Sequence, residues 1–289
     1  QPSQILECTK QQPPLERNRY EWMGYKILTK EEGIMYFYLV FFPIAIISMV
    51  WSIFNGSTPL WVATAIFTLL YSGYGISVGF HRLLSHGTFE TSDTIRKLLL
   101  FWGCQGAQGS PVTWSLIHNR SHHAHTDTDR DVHTPTKGIW YSLFGWIFHK
   151  ENHEFAQKEL FKIRKQLDPF ALWCHKNYNW LIILNLVVIG LLSGYMFGGR
   201  YVLASLNASI LSVVISGIVN WLGHYPIKGL TYTDYDINNK STNNPWAVFL
   251  TWGESLHNNH HANPRRLSFA TRWYELDIGL WLIKIIKKS

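Results

Sequence analysis

Charge is what this sequence has least of. Only 16% of its 289 residues are Asp, Glu, Lys or Arg, against roughly 25% in ordinary soluble domains. The deficit is also concentrated: Gly33 through Phe80 contains no charged residue, nor does Asn177 through Gly199 or Tyr201 through Gly223. Apolar runs of about 20 residues match the hydrocarbon thickness of a bilayer. These absences exclude a soluble globular domain and imply an integral membrane protein. Cysteine is scarce too. Cys8, Cys104 and Cys174 are scattered and form no C-x-x-C pair, which excludes a disulfide framework and a thiolate zinc centre. The polar N-terminus lacks the short apolar core of a cleavable signal. The net charge of +7 fits the Lys/Arg bias of cytoplasmic loops, so it does not call for nucleic acid as a partner.

Hydropathy divides the chain into a polar cytoplasmic arm at 1–32 and a membrane domain at 33–289. The arm ends in an interfacial piece at Tyr20–Lys30, with Trp22 and Tyr25 suited to the headgroup layer. Four spans are expected at about 34–54, 60–80, 178–197 and 201–222. Pro43 sits inside the first, which a membrane helix tolerates. Ser92–Trp114 is too Gly-rich for a crossing and is expected as a surface or half-buried helix. Gly138–Phe148 reads as an interfacial helix, Lys150–Gln166 as a charged water-side helix and Trp273–Ile286 as an amphipathic one. With two short hairpins, four spans put residues 81–176 and 224–289 on the same side as the N-terminus. Of the 26 Lys and Arg, only Arg200 falls in an outer turn, so the positive-inside rule makes that side cytoplasmic. The fold class is therefore all-α: four transmembrane helices with a cytoplasmic helical cap.

What the sequence has in excess is histidine, fourteen in all, and this parity places every one of them at the capped face. They cluster as His81…His86, as His118…His122-His123, and as His257…His260-His261, with His224 at the end of the fourth span. On an α-helix, His81 and His86 are about 140° apart, so they are expected to diverge and serve two different metals. His118 and His123 have the same spacing. His118 and His122 share a face, as do His257, His260 and His261, and Asn220 points the same way as His224. Neutral imidazole is a common metal ligand, and this many donors suits two metal ions better than one. Ligand type alone leaves iron, copper, zinc and nickel open. His125 and His133, with Asp127 and Asp131, are candidates to hydrogen-bond the ligands, and a surface placement is equally open for them. Gln108 and Trp114 are candidate lining of a substrate channel. His149, His153 and His175 are expected as surface residues or structural hydrogen-bonders.

The three boxes together resemble the membrane fatty acyl desaturases, and within them the stearoyl-type Δ9 group. The resemblance spans roughly residues 30–285. It rests on Gly79-Phe80-His81-Arg82-Leu83-Leu84-Ser85-His86, on Trp114…His118, on Lys137-Gly138-Ile139-Trp140 and on Gly253 through His261. It implies a di-iron centre held on the cytosolic face by His81, His86, His118, His122, His123, His224, His257, His260 and His261, with Asn220 reaching one iron through water. It also implies a cis double bond made in a saturated acyl chain, using O₂ and two external electrons. The acyl chain is carried by coenzyme A, a carrier protein or a glycerolipid, and the donor resembles ferredoxin or cytochrome b5, since no H-P-G-G haem motif is present. A related di-iron lipid hydroxylase or acetylenase uses the same boxes. One feature departs from the family: the middle box reads H-x-x-x-H-H where stearoyl-type members have H-x-x-H-H, which puts Asn119 in the register of the first histidine and leaves His118 the least secure ligand.

Overall fold

The computed structural model of the protein describes residues 21–22, 25–26, 30–163, 167–197 and 199–288. The expected arm at 1–32 therefore lies almost wholly outside the described residues. From it only a two-residue antiparallel pair is seen, β1 (Glu21–Trp22) against β2 (Tyr25–Lys26). Everything else of regular structure among the described residues is helical.

Among the described residues, four helices are long and apolar enough to cross a membrane: Gly33–Asn55, Thr58–Ser85, Tyr178–Tyr195 and Tyr201–Leu222. They correspond to the four expected spans. The first lies within α1 (Lys30–Asn55), which runs through Pro43. The second begins as α2 (Thr58–Thr68), opened by Pro59 in its first turn, and continues as a π-helix over Leu69–Ser85. It therefore runs five residues past the expected end at Phe80 and carries His81 inside it. The third and fourth lie in α9 (Tyr178–Phe197) and α10 (Tyr201–Leu222).

One face of these helices is apolar and open, with Ile47, Phe54, Leu191 and Leu192 exposed, as lipid contact requires. The inward faces meet through polar pairs. Asn207 accepts from Ser48 Oγ (2.8 Å) and donates to Ser52 Oγ (2.9 Å). Tyr71 hydroxyl lies 2.8 Å from Ser205 Oγ and accepts from Asn185. Such contacts hold spans together where lipid offers no hydrophobic drive.

The segments between the spans build the cap. Ser92 caps α3 (Asp93–Gln105) by accepting from the Ile95 N–H. The helix buries Leu99, Leu100 and Cys104 against the second span. The approach is close enough that a Cβ on Gly75 would fall 2.4 Å from the Gly103 nitrogen, so neither backbone tolerates a larger residue there. The expected Ser92–Trp114 segment thus resolves into α3, a turn, and α4 (Pro111–Leu116). From α4 the chain continues as a π turn over Ile117–His122 and a single turn, α5 (His123–His125). The expected interfacial helix at Gly138–Phe148 breaks at Phe144 into α6 (Ile139–Leu143) and a 3₁₀ turn at Gly145–Phe148. The charged α7 (Lys150–Ile163) follows as expected, then α8 (Pro169–Lys176), capped by Asp168. The C-terminal part supplies α11 (His257–Ala262) and α12 (Ile278–Ile286). α12 begins later than the Trp273 start expected, where Asp277 caps it by accepting from the Leu280 N–H at 2.9 Å. It buries Leu282 and Ile283 and exposes Trp281 and Ile285, which suits a helix lying in the interface.

Candidate metal centre

The two π segments decide where the first two boxes point. In a π-helix the backbone bonds run five residues back rather than four. The His86 N–H donates to the His81 carbonyl (3.1 Å), and the His123 N–H donates to the His118 carbonyl. Residues five apart are thereby stacked, and the divergence expected from α-helical spacing does not occur. His81, His86, His118 and His123 converge and are joined by His260. The Nε2 atoms form a chain of contacts: His86–His118 2.9 Å, His118–His123 3.0 Å, His123–His260 2.9 Å and His260–His81 3.0 Å.

The second cluster is His122, His224, His257 and His261, with Nε2 contacts of 3.0 Å for His122–His261 and 3.1 Å for His261–His257. Two further expectations are corrected here. His118 and His122 do not serve a common site, because the π turn carries His118 to the first cluster and leaves His122 in the second. His257, His260 and His261 also separate. His257 and His261, four apart on α11, stay together, while His260 faces the other way.

All nine histidines named by the boxes and His224 are thus placed in two adjacent groups. The extra residue in the middle box is absorbed by the π turn. Asn119, in the register of the first histidine, instead donates to the Ser85 carbonyl (2.9 Å) and ties the middle box to the first.

Two observations show that the donor set fits metal ions. Nitrogens at 2.9–3.1 Å share at most one proton per contact, so several lone pairs face one another across each cluster. The Nε2 of His224 is buried with no hydrogen-bond partner. Protonation does not relieve this. Burial, followed by the neighbouring imidazoles, pushes His118, His123, His257, His260 and His261 well below the ordinary histidine range. Burial and His81 hold His86 at about 2. Neutral rings with inward lone pairs are what a divalent cation binds.

Carboxylates stand behind the rings. Glu254 Oε2 lies 2.6 Å from His81 Nδ1, Asp131 Oδ2 lies 3.0 Å from His122 Nδ1 and Asp127 Oδ1 lies 3.2 Å from His224 Nδ1. The hydrogen bond that Asp131 accepts from His122 Nδ1 fixes the tautomer that leaves Nε2 free to ligate. Burial raises the Glu254 carboxyl, but His81 and Arg82 outweigh it and bring it to about 2.

Arg82 and Glu254 stand in the first and third boxes with no role assigned from sequence, and Asp277 is not among the sequence candidates. Arg82 is fully buried. Its Nε donates to Glu254 (3.0 Å), its Nη2 lies 2.9 Å from Asp277, and it stacks 3.9 Å from the Phe269 ring centre. The available signal was a charge flanked by apolar residues, which implies a buried partner. Gly253, at φ +91°, turns the chain into Glu254 where a Cβ would meet Asp277 Oδ1 at 2.7 Å.

The weaker candidates divide. Asp127 and Asp131 contact cluster histidines, as above. His133 is buried with its ring 4.5 Å from that of His122 and its Nδ1 3.7 Å from Asp131. His125 is half-buried and belongs to neither cluster. Asn220 donates to the Ser142 carbonyl (3.3 Å). His149 is exposed. His153 and His175 are buried structural bonders, 2.7 Å from the Ile147 carbonyl and from Ser110 Oγ respectively.

Gln108, Trp114 and Asn220 line a narrow cavity whose wall includes His81 and His118 of the first cluster and His122 and His257 of the second. Ile76, Ile117, Ile215, Val219 and Trp146 make much of the rest apolar.

The family model described as fatty acid desaturase matches residues 55–279. The chain is 32% identical to an sn-1 stearoyl-lipid 9-desaturase of Anabaena variabilis over 78% of its own length and 81% of that protein's. It is 30% identical to a hex-5-enoyl-[acyl-carrier protein] acetylenase of Moorena producens, covering 74% and 70%. It is 31% identical to a probable acyl-CoA desaturase of Schizosaccharomyces pombe, covering 76% of this chain and 46% of that one.

Proposed function

The chain belongs to the fatty acid desaturase family, and from that membership we propose that it introduces a cis double bond, of the Δ9 type, into a saturated acyl chain held in the cavity beside the two histidine clusters. The observation that carries this is the cavity wall: an apolar chamber touched by both clusters puts acyl carbons next to two metal positions at once.

An unactivated C–H bond has neither a leaving group nor a useful acidity, so side-chain acid–base chemistry does not break it. His81, His86, His118, His123 and His260 would hold one iron and His122, His224, His257 and His261 a second, with Asn220 reaching one of them through water, and the pair would supply the O₂-dependent redox chemistry that does. The balance is one saturated C–C unit, O₂, two electrons and two protons, giving the alkene and two waters. The protein's own part is positional. Apolar walls exclude water, the spans hold the chain in one register, and Glu254, Asp131 and Asp127 orient the rings. The basic face at the capped end, read as cytoplasmic, suits an acidic electron donor of the ferredoxin or cytochrome b5 kind. Relatives at nearly equal identity are named for acids carried on lipid, carrier protein and coenzyme A.

The test is expression in a desaturase-deficient host with fatty-acid profiling. A new monounsaturated acid supports the reading. A product with added oxygen makes the protein a hydroxylase. A triple bond makes it an acetylenase, the second reading that the Moorena relative favours.

A further inference from the structure

The two clusters differ in what stands behind them. In the five-histidine cluster, the one ring seen with a carboxylate partner is His81, and that carboxylate, Glu254, is engaged by the Arg82 guanidinium, which is itself paired with Asp277. His260 Nδ1 is buried with no partner. In the four-histidine cluster His122 is hydrogen-bonded to Asp131, His257 Nδ1 lies 3.2 Å from the Glu254 backbone carbonyl, and the Asp127 carboxylate stands 3.2 Å from His224 Nδ1 as a charge contact without a hydrogen bond. The hydrogen-bond partners of Asp131 are His122 Nδ1 and the Asp127 and His133 backbone amides, and Asp127 accepts from the Lys240 backbone amide at 2.6 Å. Among the described residues, no guanidinium or ammonium is among them.

We infer that the two metal positions are electrostatically inequivalent. The His122/His224/His257/His261 position stabilises the more oxidised ion and the His81/His86/His118/His123/His260 position the more reduced one. Anionic charge behind a ring makes its Nε2 a stronger donor and favours higher positive charge on the ion. Five neutral imidazoles with one neutralised carboxylate favour lower charge. The inference rests on the two-iron reading above. In electron terms, a first electron from an external one-electron reductant converts the iron at the five-histidine position from ferric to ferrous, and a second then does the same at the four-histidine position.

The experiment is Mössbauer spectroscopy of full-length protein loaded with ⁵⁷Fe and titrated anaerobically with dithionite. Iron content is measured first. At one electron per protein, the expected spectrum contains one ferric and one ferrous doublet in equal area. Asp131→Asn should shift the ferric doublet and leave the ferrous one in place. Glu254→Gln should do the reverse. Asp127→Asn, at a half-buried site, repeats the Asp131 test should that variant not fold. Fewer than two irons in the wild-type protein sinks the di-iron reading and this inference with it. Two irons reduced together with equivalent doublets, or a ferric doublet that responds to Glu254→Gln instead, overturns the inference alone.

Discussion

His123 donates its backbone N–H to the carbonyl of His118, five residues back, and their Nε2 atoms lie 3.0 Å apart. This makes His118 a member of the first cluster despite the lengthened middle box. His118→Ala should therefore reduce bound iron below two per protein and lower desaturation by roughly 100-fold or more, at or above the 10–100-fold typical of losing a supporting residue. Asn119→Ala should keep both irons. Elemental analysis alongside fatty-acid profiling checks both, and full turnover in the His118 variant would remove it from the ligand set.

Arg82 joins Glu254 to Asp277 in a site closed to water. Removing one member of a buried ionic group leaves uncompensated charge, at a cost of about 3–5 kcal/mol. Arg82→Met should lower the thermal midpoint in detergent by several degrees. It should also reduce iron retention, since Glu254 orients His81. An unchanged midpoint would show that the network contributes little.

Acid should destabilise the metal-free protein. Burial and His122 hold His133 at about 3, and burial and His81 hold His86 at about 2, while in an unfolded chain both titrate near 6.5. Below that value the unfolded state takes up protons that the folded state refuses. The stabilisation from these rings is full above about pH 6.5 and declines as pH falls through it, by on the order of 2 kcal/mol for one such ring at pH 5. Thermal melts of chelator-treated protein between pH 5 and 8 test the sign. A midpoint that rises on acidification contradicts it.

Filling the cavity should shorten the product. Ile215 lies in the cavity wall on α10 and is buried. Ile215→Trp reduces the space without touching a cluster histidine, so the unsaturated product is expected to shift toward shorter acyl chains with iron content unchanged. Gas chromatography of the host lipids reads the shift, and an unaltered chain-length profile argues that the acyl chain lies elsewhere.

Two of the histidines outside the clusters should separate stability from metal binding. His149 is exposed, and His149→Ala should fall within about 0.5 kcal/mol of wild type. His175→Ala removes the ring that Ser110 Oγ meets at 2.7 Å in a buried site, a loss of about 1–3 kcal/mol, yet iron should remain at two. Loss of iron in the His175 variant would mean that the metal site extends beyond the nine ligands.

Much of this protein is legible in one dimension, and the reason is solvent. A bilayer forbids charge over about 20 residues at a time, so the spans at Gly33–Asn55, Thr58–Ser85, Tyr178–Tyr195 and Tyr201–Leu222 stand out from composition alone. Imidazole is rare enough that its clustering marks the site as well. What periodicity misjudged was the partition of ligands. An α-helical count sends His81 and His86 apart and keeps His118 with His122; backbone bonds reaching five residues back reverse both. That choice is made by packing between helices, and no local pattern of apolar and polar residues records it. The Glu254–Arg82–Asp277 group is likewise a tertiary product, built from residues 172 and 195 positions apart. Burial of opposite charges in one place requires the fold to exist first.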